Sequence, residues 1–410
     1  MVAKRASLAG NWRLAVLGLV LIYGGAAADS YYAPTDEPLP FDFSSDAPFE
    51  HYLAATKAHL SAHREFVRPN RKQAELELVM PFELEAAESC DGRKRGVLLV
   101  HGILDTPYTM RDIAEVLNEQ CFLVRSLLLP GHGTRAGDLL TVTAEDWLAA
   151  VDYGVRSLRN DVDDVFIGGY SLGGLLAAHA AIAAPDVRAA VLFAPALGVT
   201  YPMLAKQSSW LRHLKGWLDK NPAPLPVRYQ SMSTNAVAQI VKLVSRYDDR
   251  VGDSFDTPAF VVVTDVDIAV DSDRIVDEFV ERFDHPLSRL EIYGEASVDL
   301  DERMKRYESY LPDQRILNIA HMGIPYRDDD RYFGRNGAYR DCGQYLPIIP
   351  NSEVAACQRN TDNWRGELDS TNEKDYLPLQ RLTYNPHFDE TMQRMLDFLE
   401  AVANTNGETQ

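Results

Sequence analysis

The pentapeptide Gly169-Tyr170-Ser171-Leu172-Gly173 fits G-x-S-x-G. A serine hydroxyl in that setting can act as a nucleophile if a base takes its proton and an acid orients the base. Three fixed positions match by chance in roughly one unrelated chain in ten of this length, so the flanking sequence must decide. The competing reading is an ordinary serine in a glycine-rich loop. "DVFIGG" before it reads as a buried strand and "LGGLLAAHAAIAA" after it as a helix. A sharp strand-to-helix turn would lift the hydroxyl above a sheet, and side chains at Gly169 and Gly173 would collide with neighbouring backbone. The helix would also aim its first N–H groups at a developing oxyanion.

The elements around this turn alternate. "GVLLVHG", "CFLVRSLLLPGHG", "DVFIGG" and "VRAAVLFAPAL" are short apolar runs, as expected of strands buried on both faces. Helices are expected between them, from about Thr109 with a Thr109–Asp112 cap and after Thr143 with a Thr143–Asp146 cap. The pattern predicts a doubly wound, mostly parallel α/β sheet, whose ligands sit at the carboxyl ends of its strands. Upstream, a helix is expected near Pro48 to Val67, and "AELELVMPFELEA" (Ala74 to Ala86) reads as one or two antiparallel strands.

Three segments together resemble the α/β-hydrolase fold: the pentapeptide as its nucleophile elbow, "LLVHGILDTPYTMRDIA" as its His-Gly oxyanion segment, and "LLPGHGTRAGDL" as the Gly-His-Gly segment of the monoacylglycerol lipase and bacterial carboxylesterase branch. The resemblance covers about residues 95–200 well and thins beyond. It implies oxyanion donors at the backbone N–H groups of Leu172 and Ile103, and a chain order of Ser, acid, His. In "TPAFVVVTDVDIAVDSDRIVDEF" the family pattern G-x-x-D-x-x-V falls with Thr264 at the Gly, Asp267 at the Asp and Val270 at the Val. Asp267 is therefore the expected acid and Asp265 the alternative. "RLEIYGEASVD" reads as the next strand, "DLDERMKRYESYL" as a helix, and "DQRILNIAHMGIP" as a buried strand ending at His321. His321 is the expected base. His387, before the last helix, is its rival, while His285, beside Pro286, His101 and His132 read as structural.

The rest of the chain bounds the setting. The 410 residues carry 41 Lys and Arg against 60 Asp and Glu, a net charge of −19 that argues against a nucleic-acid partner. Lys4, Arg5 and Arg13, the apolar stretch Leu14–Tyr23 and the Ala-rich run to Ala28 read as a signal peptide cut after Ala28, or as a retained anchor giving membrane association. Four cysteines allow two disulfides in an exported protein, and Cys90–Cys121 and Cys342–Cys357 are the sequence-local pairing. Four buried thiols are the alternative. His59 and His63 lack the Glu of a metalloprotease helix, and no metal or organic cofactor is expected.

The expected organisation is a leader over 1–28, an extension over 29–73, the α/β-hydrolase core over 74–197 and 259–322, a helical cap over 198–258, a second insertion over 323–384 and a core helix over 385–404. The expected activity is cleavage of a small-molecule or lipid carboxylic ester by Ser171, His321 and Asp267. A thioesterase, lysophospholipase, amidase or peptidase would use the same groups, and a non-catalytic binding relative is the alternative from another class.

Overall fold

The computed structural model describes residues 30–90, 92–198, 202–221, 225–252, 254–295, 301–342, 351–360, 362–367 and 379–405. The expected leader, 1–28, lies outside them. In chain order the elements are α1 (Phe49–His63), α2 (Lys72–Val79), β1 (Phe82–Leu84), β2 (Arg95–Val100), α3 (Arg111–Glu119), β3 (Phe122–Leu127), α4 (Ala144–Arg159), β4 (Asp164–Tyr170), α5 (Leu172–Ala183), β5 (Val187–Phe193), α6 (Pro202–Leu211), α7 (Thr234–Val251), β6 (Ala259–Thr264), α8 (Ser272–Arg282), β7 (Arg289–Gly294), β8 (Met304–Glu308), α9 (Asn351–Arg359) and α10 (Phe388–Asn404).

The strands form one eight-stranded sheet in the order β1-β3-β2-β4-β5-β6-β7-β8. Only β1 runs antiparallel, against β3; the other neighbours are parallel. This is the α/β-hydrolase fold, a doubly wound, mostly parallel sheet. Its central strands are apolar runs because helices cover both faces. Every residue of β3, β4 and β6 is buried. Helices α4 and α5 pack on β2 and β4, and α10 packs on β5. Register aligns the carboxyl ends of three strands: Val100 pairs with Leu127 on one side and Gly169 on the other, so they end level. His101, Leu128 and Tyr170 emerge together there.

Local signals explain most boundaries. Thr143 and Asp146 form a reciprocal capping box at α4. Thr109 caps nothing. Pro107 starts a 3-10 turn before it, so Thr109 already sits inside helical backbone. Its hydroxyl bonds Tyr326 Oη at 3.0 Å, and Asp112 accepts the Arg327 N–H at 2.8 Å.

Three other expectations are corrected. The alternation from Ala74 is helix α2, and only 82–84 is strand. Leu76 and Val79 are buried at i, i+3, and buried Glu75 accepts the Val67 N–H at 2.9 Å, so a helical period also fits the sequence. The expected helix around 299–311 contains edge strand β8, paired through Met304–Glu308 with Leu290–Gly294. The segment leading to His321 is not a strand. It makes only isolated bridges, Leu311 to Ile316 and Ile316 to Arg365, and His321 opens a 3-10 turn.

Both disulfides are formed, Cys90–Cys121 and Cys342–Cys357. The first joins the approach to β2 to the start of β3. The N-terminal extension packs Phe41 edge-on against Tyr52 and Tyr153, and Phe43 edge-on against Tyr153. Helix α7 is capped by Ser233 and packs on α5, where the His179 ring bonds the Leu243 carbonyl at 2.9 Å.

Candidate active site

Ser171 is the single residue between β4 and α5. Its φ of 56° and ψ of −115° lie in the region that L-residues avoid. The strain is held by close packing. A Cβ on Gly173 would overlap the Val100 carbonyl, and one on Gly169 would overlap the Gly173 backbone. The Ser171 N–H donates to the Phe193 carbonyl at 2.9 Å, and the Ser171 carbonyl accepts from Ala196 at 3.0 Å. The turn is thus fixed by β5 as well as by its own glycines.

Two distant side chains complete a relay. Ser171 Oγ lies 3.2 Å from His321 Nε2, and His321 Nδ1 lies 2.5 Å from Asp267 Oδ2. With Nδ1–H donated to the carboxylate, Nε2 is left as the acceptor facing the hydroxyl. The other Asp267 oxygen accepts the N–H groups of Ala269 (2.7 Å) and Val270 (2.9 Å). Its side chain is wholly shielded from solvent. With both oxygens engaged by three hydrogen bonds, the carboxylate keeps one orientation.

The rival groups lie elsewhere. Asp265 lies against Gly294 and pairs with Arg306 at 3.5 Å. His387 stacks on Tyr293 and its Nε2 bonds the Glu308 carbonyl at 3.1 Å. His285 Nδ1 accepts the Leu287 N–H at 3.2 Å, inside its own turn. The His59 and His63 rings lie tilted to each other at 4.7 Å on α1, with His63 beside Glu37.

Leu172 opens α5, so its N–H is among the four that a helix leaves without an intrahelical acceptor. Ile103 lies in the loop after β2, which crosses the elbow at Gly102 and Gly173. The next residue, Leu104, has φ 69° and donates its N–H to His132 Nε2 at 3.3 Å. His101 Nε2 accepts the Leu129 N–H at 3.0 Å. The two rings meet edge to face at 5.0 Å. Burial pushes His101 well below the usual imidazole range and brings His132 to about 4. Both rings are therefore neutral acceptors near pH 7, and each pins the loop after one strand to the loop after its neighbour.

Several contacts around Ser171 and the loop after β2 carried no signal in the sequence. Buried Asp105 pairs with Arg228 at 3.3 Å, while Tyr229 N–H donates to Leu104 O at 2.7 Å and Thr106 Oγ1 to Val227 O at 2.8 Å. These contacts sew the segment after α6 to the loop after β2. Burial raises Asp105, and Arg228 opposes it. Tyr170, inside the pentapeptide, donates its hydroxyl to the His321 carbonyl at 3.1 Å. Among the described residues no group of His, Cys, Asp and Glu could hold a metal ion.

A family model described as serine aminopeptidase, S33, matches residues 92–227. Over 218 residues the chain is 30% identical to a thermostable monoacylglycerol lipase of Bacillus sp. (strain H-257), covering 51% of this chain and 86% of that enzyme. Among solved structures, a metagenome-derived lipolytic enzyme (LipS or LipT) overlaps with a TM-score of 0.46 at 21% identity, over 55% of this chain and 90% of its own. The Paleococcus ferrophilus monoacylglycerol lipase overlaps with a TM-score of 0.44 at 18% identity, over 57% and 91% of the two chains. On the Bacillus relationship and the elbow sequence within a doubly wound sheet, the chain belongs to the α/β-hydrolase superfamily, in its monoacylglycerol lipase and esterase branch.

Proposed function

We propose that the chain is a serine hydrolase of carboxylic esters, acting through an acyl-enzyme on Ser171. The observation that carries this reading is the continuous relay from Ser171 Oγ through His321 to Asp267, at 3.2 and 2.5 Å. Ser171 attacks the ester carbonyl while His321 Nε2 takes its proton. Asp267 holds the ring in the required tautomer and stabilises the imidazolium that forms. The N–H groups of Leu172 and Ile103 receive the oxyanion. His321 then protonates the leaving alkoxide, the alcohol departs, and water attacks the acyl-enzyme with the same histidine as base.

Family membership supports ester cleavage, since the Bacillus relative is a monoacylglycerol lipase. The two disulfides support a place outside the reducing cytoplasm. A fluorophosphonate probe and a series of p-nitrophenyl esters of increasing acyl length test the reading together. Covalent labelling at Ser171 and turnover of the esters are expected, with both lost in Ser171→Ala. A wild-type chain that is not labelled would reduce it to a binding relative. Faster cleavage of aminoacyl p-nitroanilides than of esters would move the substrate class to peptides, toward the aminopeptidase description of the matched family model.

A further inference from the structure

The base stands on weak ground. A strand ladder would fix a histidine at its end, but the residues before His321 make only isolated bridges. Other contacts take that place. Thr264 Oγ1 donates to the Ile319 carbonyl at 2.6 Å, and Tyr170 reaches the His321 carbonyl. The third hold comes from the late insertion. Glu367 is fully buried, and its Oε2 accepts the His321 N–H at 3.2 Å. Its main chain also brackets Asn318: the Glu367 N–H donates to Asn318 Oδ1 at 2.6 Å, and Asn318 Nδ2 donates to the Glu367 carbonyl at 3.0 Å.

The second Glu367 oxygen is paired with the Arg381 guanidinium. Arg381 is anchored in turn, its N–H donating to the Asp341 carbonyl at 2.7 Å and its guanidinium lying 3.9 Å from the Asp341 carboxylate. Burial pushes Glu367 upward, Arg381 opposes this, and Asp267 adds to the push. A buried carboxylate in that position persists only because a cation faces it. The insertion therefore holds an ion pair directly behind the base, with one oxygen committed to the base's own backbone.

We propose that Glu367, clamped by Arg381, is a positioning residue for the base: it fixes the main chain at His321 so that the ring spans Ser171 and Asp267. The proposal rests on the triad reading above. It gives the insertion a role that a loop merely packed on the sheet would lack. Asp105, Asp267 and Glu367 all interact with the His321 side, and Arg228 and Arg381 face the first and last of them. Removing the Glu367 charge alone therefore leaves Arg381 unbalanced, and paired substitutions are needed.

The test measures kcat and KM on p-nitrophenyl butyrate, together with the rate of fluorophosphonate labelling, in full-length protein. Glu367→Leu with Arg381→Met replaces the buried pair with apolar groups of similar size, a change that folds tolerate. It should stay folded and lose about 100-fold in kcat and in labelling rate, as expected for a displaced base, with KM within about two-fold. Glu367→Gln with Arg381→Gln restores an acceptor for the His321 N–H and should recover most of that loss.

Wild-type kcat in the Leu/Met variant, or a change confined to KM, would overturn the proposal. So would a Gln/Gln variant no better than Leu/Met. Should the Leu/Met variant fail to fold, the Gln/Gln variant decides, and a kcat reduced 100-fold despite its intact acceptor counts against the role. If the wild-type chain itself escapes labelling, the triad fails first and this proposal falls with it.

Discussion

Ser171 and His321 lie 150 positions apart in the chain, yet Oγ and Nε2 stand 3.2 Å from each other. His387, the other histidine with a claim to the role, stacks on Tyr293 behind the edge of the sheet. His321→Ala is therefore expected to lower kcat by roughly 10⁴-fold or more, the scale of losing a triad member. His387→Ala should retain activity within a few-fold. Ester turnover by the two variants checks this, and the reverse outcome would transfer the base to the C-terminal helix.

The Leu104–His132 contact makes a separate claim about the oxyanion loop. Leu104 holds a positive φ, and its buried N–H has the His132 ring as acceptor. His132→Phe keeps an aromatic ring, somewhat larger, and removes the acceptor. An unpaired buried donor costs about 1–3 kcal/mol. The loop can avoid that cost only by turning the peptide, which would displace the neighbouring Ile103 N–H. A fall in kcat of about 10- to 100-fold is expected, approaching the loss of one oxyanion donor. His132→Gln, which can still accept, should fall less. Equal kcat in wild type and His132→Phe would remove the loop from the catalytic account.

His132, which is buried, and Asp112, which is half-buried, should contribute to acid stability with opposite signs. Burial lowers His132 from 6.5 to about 4, so the unfolded chain takes up this proton first as pH falls. Its neutral ring costs nothing above pH 6.5 and destabilises the fold progressively from there to about pH 4. Asp112 is raised from 3.8 to about 7, chiefly by burial, with the Arg327 N–H opposing it. Its stabilising contribution is present below pH 3.8 and is lost as pH rises toward 7. Each slope is about 1.4 kcal/mol per pH unit, and they oppose each other between about pH 4 and 6.5. Relative to wild type, Asp112→Asn should therefore gain stability as pH rises through that window, and His132→Gln should lose it. Urea midpoints measured across the window read both slopes, and three parallel curves would refute the assignment.

The sequence made the catalytic edge legible where chemistry and periodicity agreed. The runs ending at Val100, Tyr170 and Thr264 are mainly apolar, with Arg95 and Asp164 only at their starts, because both faces of those strands are covered, and the glycines of the elbow are required by backbone contact. Legibility failed where one pattern fits two structures. "AELELV" alternates, yet it also buries Leu76 and Val79 on one helical face. Strand β8 buries Met304 alone among mostly charged residues, so an edge strand reads as an exposed helix. Ile316, Ile319 and Ala320 are buried by packing without a ladder, which gave the approach to His321 the look of a strand. Asp105 with Arg228 pairs distant segments and Glu367 with Arg381 pairs residues across an irregular loop, and nothing local marks either partner.

The two disulfides should separate stability from activity. Cys90–Cys121 closes 31 residues and lies at the amino ends of β2 and β3, away from Ser171. Cys342–Cys357 closes 15 residues beside the Arg381 anchor. Asp341 precedes Cys342 and accepts the Arg381 N–H, while the Cys357 carbonyl accepts Gln380 Nε2 at 2.8 Å. The chain-entropy estimate gives about 4 and about 3 kcal/mol for loops of these lengths. Replacing Cys90 and Cys121 by serine should thus lower the melting temperature at least as much, yet leave the rate of Ser171 labelling near wild type below the transition. Replacing Cys342 and Cys357 by serine should slow labelling even where the protein remains folded, because it loosens the clamp on Glu367 and, through it, the backbone of His321. Equal labelling rates in the two folded variants would confine both bridges to a structural role.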